Sequence, residues 1–165
     1  MEKNSTELLL KDVENPKFYD NIADISSVVL YQGVHFVVKP HYERQEQIMC
    51  SVDGTISLAL VPHIYRQELY TDELHDSMYF DKRMREIDQS NVASVNFFVP
   101  KLEKYPYFEN VQKFNVNLKT GDCVFIPSYF FYQMQGNNQN ITPMMFSNLT
   151  RSIFNKTAME DYKAN

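Results

Sequence analysis

The sequence contains little of what marks disordered, fibrous or membrane-spanning chains. Glycine accounts for only 4 of the 165 residues, tryptophan is absent, and 44% hydrophobic against 22% charged residues is an ordinary globular composition. A chain of this length fits one domain with a single core. No apolar run approaches the roughly 20 residues needed to cross a bilayer, so we expect no membrane-spanning segment.

Basic clusters and cysteines are scarce as well. The 16 Lys and Arg residues stand against 21 Asp and Glu residues, a formal net charge of -5, which disfavours binding to nucleic acid. Cys50 and Cys123 are too few for a disulfide framework, so we interpret them as small core residues in a reducing compartment. Because the N-terminus also lacks a signal-peptide pattern, the default expectation is an intracellular, cytoplasmic protein.

Short β-rich runs separated by turn residues fill most of the chain. The turn signals are Gln32-Gly33, Asp53-Gly54, Thr120-Gly121-Asp122 and Gly136-Asn137-Asn138, and Asp53-Gly54 is the strongest hairpin signal among them. The alternating apolar pattern predicts strands near residues 26–32, 34–40, 47–52, 56–61, 93–98, 113–118, 122–126, 129–135 and 142–148. Many short strands with tight turns predict a closed or double-sheeted all-β architecture.

The chain divides into one domain and two short flanking segments. Residues 1–25 form a short N-terminal edge, helical or irregular, and residues 149–165 form a C-terminal tail. Residues 26–148 form the predicted barrel, which carries a long polar and charged insertion at residues 63–90. We find no internal repeat and no linker that divides the barrel.

A possible metal site lies at the end of the second predicted strand, at His41-Tyr42-Glu43. Residues two apart on a strand point to the same face, so His41 and Glu43 can reach one metal ion from inside a barrel. Taken alone the pattern is weak, because a surface histidine beside a solvated glutamate gives the same letters.

A second motif makes this pattern more specific. Gly121-Asp122 precedes an apolar run that ends at Pro127, and an aromatic segment from Tyr129 to Tyr132 follows. This order closely resembles a signature of the Jumonji C family of cupin-like proteins. Gln47, six residues after His41, also matches a position where that family often has Asn or Gln. The resemblance covers residues 26–148 and implies a double-stranded β-helix, that is, a jelly-roll cupin barrel.

The resemblance also implies a set of functional positions. Enzymes of this family hold Fe(II) with two histidines and one carboxylate and use 2-oxoglutarate and O₂. His41 and Glu43 match the first two ligands, but the third, a histidine in the family, falls on Tyr132. The lysine that pairs with the far carboxylate of 2-oxoglutarate falls on Ile56. Lys39 shares the strand parity of His41 and is a weak substitute, because Pro40 interrupts the strand.

These departures predict a degenerate family member, a pseudoenzyme that serves as a binding or structural module within a larger protein assembly. No cofactor is expected under that interpretation, and the partner is a protein. The alternative is an Fe(II)/2-oxoglutarate-dependent protein hydroxylase or demethylase in which His41, Glu43 and Tyr132 hold an altered metal site. A third possibility is a cupin whose interior binds a small apolar or aromatic compound.

Overall fold

The structure is a computed structural model that describes residues 25–71 and 91–147 of the chain. The predicted N-terminal edge up to residue 24, residues 72–90 of the predicted insertion and the C-terminal tail lie outside the described residues. Within the described ranges, no helix is long and apolar enough to cross a membrane.

Seven antiparallel strands and a few single 3₁₀ turns make up this part of the chain. The strands are β1 Ile25–Val34, β2 His41–Tyr42, β3 Glu46–Cys50, β4 Asp53–Val61, β5 Phe114–Leu118, β6 Cys123–Ile126 and β7 Phe131–Ser147. The 3₁₀ turns include His63–Tyr65, Gln67–Leu69 and Pro106–Asn110.

The long strand β7 organises the sheet. The strand order is β5-β4-β7-β3-β6, and β1 and β2 also pair with β7. The first part of β7 lies between β4 and β2, and its last part lies between β3 and β1. Strands pair with both edges of β7, and the sheet curls around it into the jelly-roll barrel that the strand pattern predicts.

The core forms on both faces of β4 and β7. Ile56, Leu58 and Leu60 on β4 pack inside the barrel, together with Tyr132 on β7. Ala59 and Val61 on β4 and Phe131 on β7 pack outward and form an outer cluster with the loops of residues 62–71 and 91–111. A strand buried on both faces has a continuous apolar run, which is what Leu58–Val61 shows in the sequence.

Two predicted turns are not turns in the structure. Gly33 continues β1 and pairs with Asn140; a bend follows at His35, which has a left-handed φ of 52°, and the chain then continues antiparallel to β7 as far as His41. The predicted strand 34–40 is wrong as the second strand of a hairpin: Val34 ends β1, and Val37 forms an isolated bridge to Gln135 on β7. Gly136 likewise lies inside β7, so the predicted strands 129–135 and 142–148 are one strand. Glycine is required there because a Cβ atom would lie 2.5 Å from the Phe36 ring.

The Asp53-Gly54 hairpin prediction is also wrong. The chain does not reverse there: β3 and β4 follow one another along the same edge of β7, both antiparallel to it, and the register shifts at Gly54, where φ is 82°. A Cβ atom at Gly54 would meet the carbonyl oxygen of Gln139, so the backbone at this position packs closely against β7 and favours glycine.

The predicted strand 93–98 and the cysteine interpretation need correction too. Residues 93–98 lie in an irregular segment with bends, and their buried apolar side chains belong to the outer cluster. The Phe97 N–H donates to the Gln133 side chain at 2.6 Å and not to a neighbouring strand. Cys50 and Cys123 are not separate core residues: they face each other on β3 and β6 and form a disulfide. This pairing removes the cysteine argument for a reducing compartment.

Candidate functional site

The three predicted ligands come together at one end of the barrel. His41 pairs directly with Tyr132 where the two-residue strand β2 meets the start of β7. The Tyr132 Oη atom lies 2.9 Å from His41 Nε2, and the two ring centroids are 4.5 Å apart. The Glu43 Oε1 atom lies 3.8 Å from the same nitrogen. The strand parity that places His41 and Glu43 on one face therefore holds.

The two hydrogen bonds of the His41 ring indicate the direction of the bond between His41 and Tyr132. Its Nδ1 atom lies 2.8 Å from the backbone oxygen of Lys39. A carbonyl oxygen can only accept, so Nδ1 carries a proton, and in the neutral imidazole Nε2 then presents a lone pair. The Tyr132 hydroxyl donates to that lone pair. The nitrogen that faces Glu43 is therefore already occupied by an O–H group.

Tyr132 is held as a neutral phenol. Its side chain is completely buried, and burial is the main cause that raises its pKa well above the ordinary value for tyrosine. The neighbouring Tyr31 and Glu43 raise the pKa further, while a side-chain hydrogen bond from Gln47 opposes them. Burial, and then Glu43, also raise the pKa of Tyr31. The hydroxyl of Tyr132 thus keeps its proton and stays a donor to His41.

The two positions assigned to 2-oxoglutarate carry no buried cation. Ile56 is completely buried in the inner cluster, opposite Leu118 on β5 and Gly136 on β7. The Lys39 side chain is exposed, which does not fit the inward orientation considered for it, and its backbone oxygen is what reaches the site. An anionic cosubstrate would meet a hydrocarbon wall at Ile56, where burying an unpaired charge is costly.

The residues present do not fit the Fe(II) and 2-oxoglutarate that the resemblance implies. The donor set is one imidazole nitrogen already bonded to a hydroxyl, one carboxylate and one buried neutral phenol, instead of two imidazoles and a carboxylate. In the part of the chain that the structure describes, no three His, Cys, Asp or Glu side chains are grouped so that they could hold a metal ion.

Sequence reasoning missed part of this cluster. Gln47 was singled out for its spacing alone, and its side chain, 1% exposed, bonds the Tyr132 hydroxyl. Tyr31 carried no signal beyond its place on a predicted strand. Tyr129, with a left-handed φ of 63°, donates its N–H to the Glu43 backbone oxygen at 2.8 Å. No local pattern reports such contacts, because they join residues far apart in the chain.

Family comparison agrees with this architecture. The sequence model of the cupin-like domain family matches residues 6–148, so the chain belongs to that family. The predicted cupin-type jelly roll is confirmed, and so is the resemblance to Jumonji C-like proteins.

Named relatives are distant and longer. The chain is 26% identical over 143 residues to lysine-specific demethylase JMJ31 of Arabidopsis thaliana, which covers 85% of the chain and 24% of that protein. It is 24% identical over 127 residues to tRNA wybutosine-synthesizing protein 5 of Homo sapiens, covering 77% of the chain and 35% of that protein. The chain therefore spans about a quarter to a third of these curated relatives.

Among solved structures, the chain superposes on hydroquinone 1,2-dioxygenase from Sphingomonas sp. TTNP3 with 4-hydroxybenzoate bound. The TM-score is 0.43 at 9% sequence identity, and the match covers 73% of this chain and 58% of the other.

Proposed function

We propose that this chain is a non-catalytic cupin-like module that acts in binding or assembly, and that Tyr132 keeps the metal position of its barrel closed. The observation that carries the proposal is the hydroxyl of Tyr132, 2.9 Å from His41 Nε2. Metal binding at His41 requires that this hydrogen bond break and that a buried hydroxyl lose the acceptor of its proton, which costs about 1–3 kcal/mol before any ligand bond forms.

The chemistry of the phenol supports the same conclusion. Coordination by Tyr132 requires the phenolate, whereas burial together with the nearby Glu43 keeps the phenol protonated. Ile56 adds an independent obstacle, because an apolar side chain stands where the family places a cation. The two defects lie at different points of the site, so their costs should add.

The partner class in this proposal is protein. Large apolar side chains are exposed on the loops that cover the outer cluster: Ile64 is 84% exposed, Val99 73% and Tyr107 66%. Exposed apolar and aromatic side chains are typical of protein contact surfaces. The net charge of -5 supports a protein partner over a nucleic acid.

The test compares the wild type with a variant that rebuilds the missing ligand. Co(II), which resists oxidation, is titrated calorimetrically into the wild type, into Tyr132→His and into the control Tyr107→His, which adds a histidine at an exposed position. We expect Tyr132→His to bind Co(II) at least about tenfold more tightly than both other proteins. Equal binding by the wild type and Tyr132→His would contradict the closed-site proposal.

Turnover is tested separately. The wild type, with Fe(II), ascorbate and 2-oxoglutarate, is expected to form no more succinate than His41→Ala. Adding Ile56→Lys to Tyr132→His is expected to improve the binding of 2-oxoglutarate, because a cation then faces its far carboxylate. Succinate from the wild type above the His41→Ala level would establish an active enzyme.

The second candidate is an Fe(II)/2-oxoglutarate-dependent protein hydroxylase or demethylase with an altered metal site. One observation favours it: Glu43 Oε1 lies 3.8 Å from His41 Nε2, so two of the three family ligands still face each other. A relative that is named as a lysine-specific demethylase supports the same class. This candidate predicts bound iron in the purified wild type, lost in both His41→Ala and Tyr132→Phe.

A further inference from the structure

The disulfide lies at the outer edge of the barrel, on the strand that leads to the His41 cluster. Cys50 ends β3 and Cys123 begins β6, and the two are directly opposite each other in the strand register with Cα atoms 4.1 Å apart. Strand β6 stands at one end of the sheet order. Edge strands are held by fewer neighbours than central strands and open more readily.

Backbone hydrogen bonds also join the two segments that follow Cys50 and precede Cys123. The Ser51 N–H donates to the Asp122 carbonyl oxygen at 2.9 Å, and the Gly121 N–H donates to the Ser51 carbonyl oxygen at 2.7 Å. The Thr120 hydroxyl, in the turn before Cys123, also donates to the carbonyl oxygen of Gly54, at 3.3 Å. The thiols of a reduced chain would therefore remain neighbours and could rejoin.

The far end of β6 reaches the candidate site. Ile126 is completely buried in the cluster that contains Tyr132, and it pairs with Gln47, whose side chain bonds the Tyr132 hydroxyl. Three residues later, Tyr129 donates its N–H to the Glu43 backbone oxygen. Loosening of β6 and of the segment that follows it would thus act on two residues near His41, Gln47 and Glu43.

We propose that Cys50–Cys123 is a reversible redox switch that holds β6, and with it the Gln47 and Glu43 side of the cluster, in place. Cys123 is exposed and Cys50 is half-buried, so a small thiol can reach the Cys123 sulfur. Exposed disulfides are more easily reduced than buried structural ones. This inference goes beyond the proposed function and does not depend on it.

The switch runs by thiol–disulfide exchange with a small thiol of the glutathione class. One thiolate attacks the Cys123 sulfur, breaks the sulfur–sulfur bond, forms a mixed disulfide and releases Cys50 as a thiolate, which takes up a proton. A second reductant thiolate attacks the mixed disulfide and releases Cys123. Two electrons and two protons pass to the protein, and two reductant thiols become one disulfide.

The chain has 2 cysteines, so every thiol counted in the test belongs to this pair. The full chain is equilibrated with graded ratios of reduced to oxidised glutathione, free thiols are alkylated and counted by mass, and backbone hydrogen exchange is measured. We expect both thiols to appear together at millimolar reduced glutathione. Amides of β6 and of Tyr129 should then exchange about tenfold faster or more, while those of β4 change less than about twofold.

The double variant Cys50→Ser with Cys123→Ser is the matched control, and it should reproduce the exchange pattern of the reduced form at every glutathione ratio. A pair that stays oxidised at all ratios overturns the proposal, and so does reduction that leaves β6 exchange unchanged. If reduction, or the double variant, accelerates exchange in β4 as much as in β6 or unfolds the chain, the disulfide is a structural cross-link and no switch.

Discussion

Removal of the Tyr132 hydroxyl is the sharpest test of the hydrogen-bond chain inside the barrel. In Tyr132→Phe the ring stays and the packing volume is almost unchanged, so the effect comes from two lost partners. The Gln47 amide, on a side chain that is 1% exposed, loses its acceptor without access to water. His41 Nε2 loses its donor, but its side chain is 16% exposed and can be rehydrated in part. A buried group without a partner costs about 1–3 kcal/mol, so we expect a loss of about 2 kcal/mol in the free energy of unfolding.

Urea unfolding followed by fluorescence and circular dichroism measures this loss, provided that the two probes coincide. Tyr129→Phe is the matched control, because Tyr129 is 46% exposed and should change stability by less than about 0.5 kcal/mol. A double-mutant cycle with His41→Ala should show a coupling of about 0.5 kcal/mol or more. If Tyr132→Phe costs no more than Tyr129→Phe, or the cycle shows no coupling, the inferred donor chain is wrong.

Two further predictions concern pH and backbone conformation. Burial raises the pKa of Tyr132 in the folded state, so the unfolded chain loses the phenol proton first as the pH rises. The contribution of the protonated phenol to the free energy of unfolding is therefore complete below about pH 10 and declines above it. Unfolding measured from about pH 9 to about pH 11 should show a shallower decline for Tyr132→Phe than for the wild type, and equal slopes would refute this assignment. Gly54→Ala should cost about 3 kcal/mol or more in unfolding free energy, because it adds a clash with the Gln139 carbonyl oxygen to the cost of a left-handed φ. Gly121→Ala, with φ of 91° and no atom within 4 Å of the added Cβ, should cost only about 1–2 kcal/mol, so a similar loss in both would show that the clash is relieved.

The sequence by itself determined the local features that carry the family resemblance. Alternation and β-rich composition located the strands 113–118 and 122–126 to within a residue or two, and Gly121 marked the turn between them, where φ is left-handed. The spacing of His41 and Glu43 placed both side chains on one face. These features follow from strand periodicity and turn stereochemistry, which act over a few residues.

Tertiary structure alone decided which segments pair and what surrounds His41. Gly33 and Gly136 are local turn signals, yet both lie within strands. At Gly136 the close approach of the Phe36 ring, a hundred residues earlier in the chain, explains the glycine. The Cys50–Cys123 pairing exists only because β3 and β6 come together in register. The donor chain from Gln47 through Tyr132 to His41 likewise joins three separate strands. Such contacts are set by long-range packing and burial, which a local pattern does not encode.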